Sequence, residues 1–223
     1  MYLYLHGFAS GANSRKAQFF VERYAQQGLQ LTVPDFNAGG FGDFTISRLL
    51  QQAASFLIGA DNVTLIGSSL GGWASLLLAQ QYPQVKQLIL LAPAFGFPHP
   101  WLSSLDPVAI QTWQETGSWP VYHYIEKQEI PLSYNFVVDA QQYLQTNFTR
   151  HLPTLIFHGV NDVVVPIELS RQYVSTVPAA QRELVRLVEL DSDHGLGNVL
   201  PKIWQEIVEF EKNLATFFAD DGD

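Results

Sequence analysis

Val63-Thr64-Leu65-Ile66-Gly67-Ser68-Ser69-Leu70-Gly71-Gly72 is the stretch on which the reading of the whole chain turns. Val63 to Ile66 is a short, continuously apolar run, the pattern of a central strand covered on both faces. Leu70 to Gln81 then reads as a helix, stopped before Pro83. Between strand and helix, Gly67-Ser68-Ser69-Leu70-Gly71 fits G-x-S-x-G with Ser69 at its centre, the sharp turn that leaves a serine strained and exposed. Ser68 fails that register, because Ile66 and Leu70 stand where glycines are needed. The competing reading is an ordinary glycine-rich turn with an N-cap serine.

Outward from this turn, short apolar runs alternate with helical patterns, which argues for parallel strands joined by helical crossovers. Strands are expected at Tyr2 to Leu5, Leu29 to Val33, Leu88 to Leu91, Thr154 to Phe157 and Leu184 to Leu190. Ala17, Phe20, Val21 and Tyr24 form one face of a helix that Gly28 can cap, and Ile46, Leu49, Leu50, Ala53 and Leu57 repeat the period. Helices at Ile167 to Thr176 and Pro201 to Phe218 complete the layers, and the acidic end from Asp220 to Asp223 is expected to fray. The alternation breaks between Ala94 and Arg150, which holds eleven aromatic residues and five prolines. A structureless loop of that length is foreign to a compact domain. Helical turns after Asp106-Pro107, a hairpin around Trp119 to Tyr134 and a helix near Phe136 to Gln145 are therefore expected within it.

A chain of 223 residues favours one α/β domain, spanning 1–223 and carrying this insertion at about 94–150, over two full domains. Hydrophobic residues at 47% supply a core that needs neither disulfide nor metal, and zero cysteines exclude thiolate, thiol-redox and cysteine-ligated metal chemistry. The charged fraction of 15% is low against about 25% in soluble proteins, which invites a pocket or a partner. A net charge of −9 gives no footprint for nucleic acid. The longest uncharged apolar stretch, Leu88 to Phe97, is too short for a membrane span, and the start lacks the pattern of a signal peptide. A soluble, cytoplasmic protein is expected.

A serine hydroxyl needs a base, and the base an orienting acid. His194, in the polar loop Asp191-Ser192-Asp193-His194-Gly195 between the last strand and the last helix, is the candidate base. His6 and His158 precede glycines at strand ends, which suggests packing or turn roles, and His99, His123 and His151 read as surface or satisfied histidines. Asp162, just past another strand end, is the candidate acid, with Asp193 and Asp35 as rivals and a loop-capping aspartate as the bland alternative. The order Ser69, Asp162, His194 is that of the α/β-hydrolases, and all three lie beyond carboxyl ends of strands, where open parallel sheets place their sites. Backbone amides of Phe8 and Leu70 are candidates for the oxyanion hole. No histidine pair at i, i+4 suggests a metal, and no Lys-Ser or Lys-Thr pair completes a phosphate loop at Gly7 to Gly11. No metal and no cofactor is expected.

These pieces together resemble the α/β-hydrolase superfamily, and within it the small bacterial esterases of the YqiA and YcfP type. The resemblance covers the whole core. It rests on His6-Gly7-Phe8-Ala9-Ser10 with Ser14 and Lys16-Ala17, Gly67 to Gly72, Pro93-Ala94, His158-Gly159 through Asp162, and Asp193-His194. It implies, in that order, an oxyanion loop, the nucleophile, the start of a lid, the acid and the base. The first two strands of larger members are not expected here, since the Tyr2 strand already corresponds to a later one, and the insertion matches no substrate-defining motif.

The expected architecture is thus an α/β-hydrolase fold of about six mostly parallel strands, with helices on both faces and a lid. The expected activity is hydrolysis of a small-molecule carboxylic ester, of small or medium acyl length, through an acyl-enzyme on Ser69. The same triad serves a thioesterase or a serine peptidase, and a non-catalytic small-molecule receptor on this fold is the alternative of another class. The insertion's aromatics read mainly as its own core, with Phe95, Phe97, Trp101 and Trp119 as the candidates to line an acyl pocket. Nothing in the sequence specifies an oligomeric state.

Overall fold

The computed structural model describes residues 1–220, and the side chains of residues 1–214. Among them, six strands form one parallel sheet in the order β2-β1-β3-β4-β7-β8, where β1 is Tyr2–Leu5, β2 Leu31–Thr32, β3 Val63–Ser68, β4 Val85–Leu91, β7 Thr154–Gly159 and β8 Val185–Leu190. This is the α/β-hydrolase arrangement. Every pairing within the sheet is parallel. Helices α1 (Arg15–Gln26), α2 (Ile46–Ser55), α3 (Leu70–Gln81), α7 (Glu168–Thr176) and α8 (Leu200–Asp220) make the crossovers and the covering layers. Between β4 and β7 lie α4 (His99–Ser103), α5 (Pro107–Thr116), the antiparallel hairpin β5–β6 (Ser118–His123 and Gln128–Ser133) and α6 (Asn135–Gln141).

The alternation of strand side chains divides the core in two. Leu3, Leu5, Leu65, Leu88, Leu90 and Ile156 pack with α2, α3 and the insertion. Tyr4, Ile66, Ile89, Leu91, Leu155 and Phe157 pack on the other side with Ala17 and Phe20 of α1 and Leu200, Ile203 and Ile207 of α8. Helix α3 is buried from Leu70 to Ala79 on every side, because the sheet, α2 and the insertion surround it.

Strand β2 is shorter than the run Leu29 to Val33 suggests. Gly28 adopts φ +74° after α1, the Leu29 amide turns back to the Tyr24 carbonyl and the Gly28 amide to Ala25. Leu29 is thereby consumed in a Schellman cap before pairing can begin, and Pro34 follows too soon for β2 to lengthen. Of the acidic end expected to fray, Asp220 closes α8 and residues 221–223 lie outside the described residues.

Two glycines of the elbow are required by close approach. A Cβ on Gly67 would meet the Gly71 carbonyl oxygen at 2.4 Å, and one on Gly71 would meet the Leu5 carbonyl oxygen at 2.1 Å. The first turn of α3 therefore rests directly on the end of β1. Gly71→Ala is expected to destabilise the fold by about 3 kcal/mol, since backbone rather than a flexible side chain must yield. The check is a urea titration, in which the midpoint falls while the slope stays that of the wild type.

Candidate active site

Ser69 stands between β3 and α3 with φ 53° and ψ −116°, a conformation that side chains other than glycine rarely adopt. The surroundings over-determine it. Its amide donates to the Leu91 carbonyl at 2.9 Å, and its own carbonyl accepts from the amides of Gly72, Trp73 and Ala94 at 2.9, 3.2 and 3.0 Å. The end of β4 and the start of the insertion thus hold the serine out over the carboxyl edge of the sheet.

His194 comes to it from the loop after β8. Its Nε2 lies 3.1 Å from Ser69 Oγ, and its Nδ1 lies 2.7 Å from Asp162 Oδ2. With Nδ1–H donating to the carboxylate, Nε2 carries the lone pair that accepts the serine proton. The loops after β7 and β8 are sewn together: Val160 donates to the Leu190 carbonyl at 2.8 Å, and Asn161 to the Ser192 carbonyl at 3.0 Å. Gly159 lies so close beneath them that a Cβ would meet the Ser192 carbonyl oxygen at 2.3 Å.

Asp162 is saturated with donors. Oδ1 accepts from the amides of Val164 and Val165 at 2.9 and 2.8 Å, and Oδ2 faces His158 Nε2 at 3.2 Å as well as His194. Burial alone would raise this carboxyl. The hydrogen bonds from His158, His194 and the Val165 amide, with the charge of His194, outweigh it and hold the group well below the usual carboxylate range. Neither rival acid reaches His194. Asp193 Oδ1 turns back to the Gly195 amide at 2.9 Å, and Asp35 is exposed, 3.8 Å from His6 Nε2.

The loop after β1 faces Ser69 from the other side. A Cβ on Gly7 would stand 3.4 Å from that of Ser69. The amides of Phe8 and Leu70 donate to no protein acceptor among the described residues. A cavity of about 600 Å³ opens over Ser69 and His194, and Phe95, Phe97, Trp101 and Trp119 all line it. These rings serve packing and cavity together. Phe97 stacks on Trp101 at 5.7 Å and Phe95 on Tyr173 at 4.6 Å, while both are buried in the core.

The sequence reading underrated three residues. His158 is wholly buried, with Nε2 directed at Asp162 and at the Val165 carbonyl (2.8 Å) and Nδ1 2.7 Å from Ser170 Oγ, so it supports the acid rather than merely filling a turn. Its place at the end of a strand, four residues before Asp162, was the available signal. His123, expected to be surface or satisfied, is buried against Phe41, with Nδ1 accepting from the Glu126 amide and Nε2 without a partner among the described residues. Lys16 extends from α1 into the cavity wall and donates to Ser68 Oγ at 3.0 Å.

The profile of a protein family described as UPF0227, an uncharacterised protein family, matches residues 1–212. The chain belongs to this family. UPF0227 is the family of YqiA-like esterases to which the sequence motifs point, and the UPF0227 chain here has α/β-hydrolases as its structural neighbours. Among curated proteins it is 24% identical over 206 residues to the mitochondrial palmitoyl-protein thioesterase ABHD10 of Bos taurus, covering 86% of this chain and 66% of that protein. The chain thus spans just under two thirds of that relative's length. Mouse α/β-hydrolase domain-containing protein 10 superposes with a TM-score of 0.77 at 22% identity, over 96% of this chain and 90% of that one. Est1E from Butyrivibrio proteoclasticus, solved with ferulic acid bound, gives a TM-score of 0.75 at 22% identity, over 95% of this chain and 88% of that one. These neighbours are of esterase and thioesterase type, and at such identities the solved structures establish the fold alone. Among the described residues, no helix is long and apolar enough to cross a membrane.

Proposed function

We propose that the protein is a serine hydrolase that cleaves carboxylic esters of small or medium acyl groups through an acyl-enzyme on Ser69. The observation that carries this reading is the unbroken line Ser69 Oγ, His194 Nε2, His194 Nδ1, Asp162 Oδ2 at a strained strand-to-helix turn. Ser69 Oγ attacks the acyl carbonyl as His194 Nε2 takes its proton, and the carbonyl oxygen becomes an anion facing the free amides of Phe8 and Leu70. Each such donor is worth about 100-fold to 1,000-fold in rate. His194 then returns the proton to the departing oxygen, and a water deprotonated by the same nitrogen releases the acid. Asp162 stays ionised throughout and stabilises the imidazolium.

The likeness to the bovine palmitoyl-protein thioesterase favours thioesters as a second reading of the same site. Labelling by a fluorophosphonate at Ser69 tests the nucleophile, and the native protein left unlabelled would sink the proposal in favour of a receptor. A panel of matched oxygen and thio esters then separates the two substrate classes.

The aromatic cavity wall makes a further expectation. Each methylene buried there is worth about 0.8 kcal/mol, roughly fourfold in kcat/KM when expressed in the transition state. Specificity should rise from acetyl to butyryl or hexanoyl and then fall when the chain meets the cavity end. Trp119→Ala should flatten the rise to less than about twofold per methylene. A profile identical to the wild type would show that Trp119 does not contact the acyl chain.

A further inference from the structure

Ser69 separates two unlike halves of its cavity. On the side of α3 and the insertion the wall is aromatic, made of Phe95, Phe97, Trp101 and Trp119. On the side of α1 and α8 it is polar, made of Tyr4, Ser14, Lys16 and Ser68. The alternation of β3 explains the division: Ser68 shares the face of Ile66, which packs toward α1, whereas Leu65 packs toward α3.

Lys16 is the only cation among the residues lining this cavity. Its Nζ donates to Ser68 Oγ, a hydroxyl also bonded to Tyr4. Among the described residues, no carboxylate comes within ion-pair distance of it. Asp162 and Asp193 act on it only through space: the oxygens of Asp162 are engaged with His158, His194 and two amides, and Oδ1 of Asp193 with the Gly195 amide. Desolvation without a carboxylate partner disfavours the charged form of a lysine. Burial pushes its ammonium down to about 8, which leaves it mostly charged at neutral pH.

The chemistry decides which part of a substrate meets this ammonium. His194 Nε2 must hand its proton to the departing atom, so the leaving group lies on the side of His194. Gly195 lines the cavity next to His194, and Lys16 in the same lining stands near enough to Asp162 and Asp193, the acid and the neighbour of the base, to feel their charge. We infer that Lys16 receives an anionic oxygen carried by the leaving group. The substrates are then esters or thioesters with an apolar acyl part and an alcohol or thiol part bearing a carboxylate or phosphate. This inference rests on Ser69 acting as the nucleophile, and it adds no bond change to the hydrolysis.

The test uses two butyrate esters that differ in charge and hardly in the departing phenol, those of 4-hydroxyphenylacetate and 4-hydroxyphenylacetamide. The readout is the ratio of their kcat/KM values, charged over neutral, which cancels any change common to both. The wild type is expected to favour the charged ester about tenfold or more, as a charge-assisted hydrogen bond does. Lys16→Met should bring the ratio to about one, and Lys16→Arg should keep most of it. The wild-type ratio should also fall between pH 7 and pH 9, as Lys16 loses its proton, which serves as the test if Lys16→Met does not fold. The groups facing Lys16 are Tyr4 on β1, Ser68 on β3, Asp162 after β7, and Asp193 and His194 after β8. Burial pushes the Tyr4 hydroxyl far above that range, and titration of the triad changes both esters alike. A wild-type ratio near one, a ratio kept by Lys16→Met, or failure to cleave either ester while the phosphonate labels Ser69 would each overturn the inference and leave the nucleophile standing. Absence of labelling would remove the hydrolase reading itself.

Discussion

Ser69→Ala is expected to lower kcat by about five to six orders of magnitude, since loss of the nucleophile from a serine triad removes the whole covalent route. The fold should survive. Among the described residues the Ser69 side chain has one hydrogen-bond partner, His194, whereas the elbow is held by backbone bonds to Leu91, Gly72, Trp73 and Ala94 that alanine retains. Alanine also meets the same positive φ that serine does, so the turn gains no new freedom. The measurement pairs turnover of a reactive phenyl ester with a urea titration. Activity retained in a preparation free of contaminating esterase would refute the nucleophile.

Asp162→Asn should lower kcat by about 10⁴, the scale seen when a triad acid becomes an amide. The amide oxygen can still accept from Val164 and Val165, so the loop keeps its shape. The amide nitrogen then faces His194 Nδ1 as a donor, which leaves the imidazole proton on Nε2 and removes the acceptor that Ser69 needs. Asp193→Asn should change kcat by less than about threefold, because its carboxylate is folded back on Gly195. The opposite ranking of the two variants would move the acid to Asp193. Stability should respond as well. The Asp162 carboxyl is held below its unfolded value near 4, so it stabilises the fold above that pH and the contribution fades as pH falls. The variant should accordingly lose less stability than the wild type on acidification.

The elbow was legible because its signals are local. A continuous apolar run, two glycines and a helix without a polar face occupy adjacent residues, and Leu70 to Gln81 is helical to the residue. Strand ends likewise carried the approach of Asp162 and His194, since parallel strands deliver their following loops to one edge. Where the reading slipped, capping or tertiary contact decided. The Schellman cap took Leu29 from β2, and Ser14, accepting from the Ala17 amide, began α1 before its apolar face did. Leu184 closes a 3-10 turn instead of opening β8. The short helix α4 was not anticipated, although Pro100 in its first turn suits a helix start. Lys16 could not be weighed from sequence, because its partner Ser68 lies far along the chain, whereas the spacing of His158 to Asp162 was a signal left unread.

Arg150 ends the insertion, and its guanidinium donates to the carbonyls of Ala79, Tyr82, Pro83 and Val85, while Gln80 Oε1 accepts from its amide at 2.9 Å. One side chain therefore clasps the outgoing end of the excursion to the turn that leads from α3 into β4. The excursion departs from the far end of that same strand, so both of its roots are tied to β4 and neither depends on what lies between. A segment rooted in this way behaves as an exchangeable cassette. Substitutions between the two roots are expected to change what the cavity admits without moving the strands that aim the nucleophile.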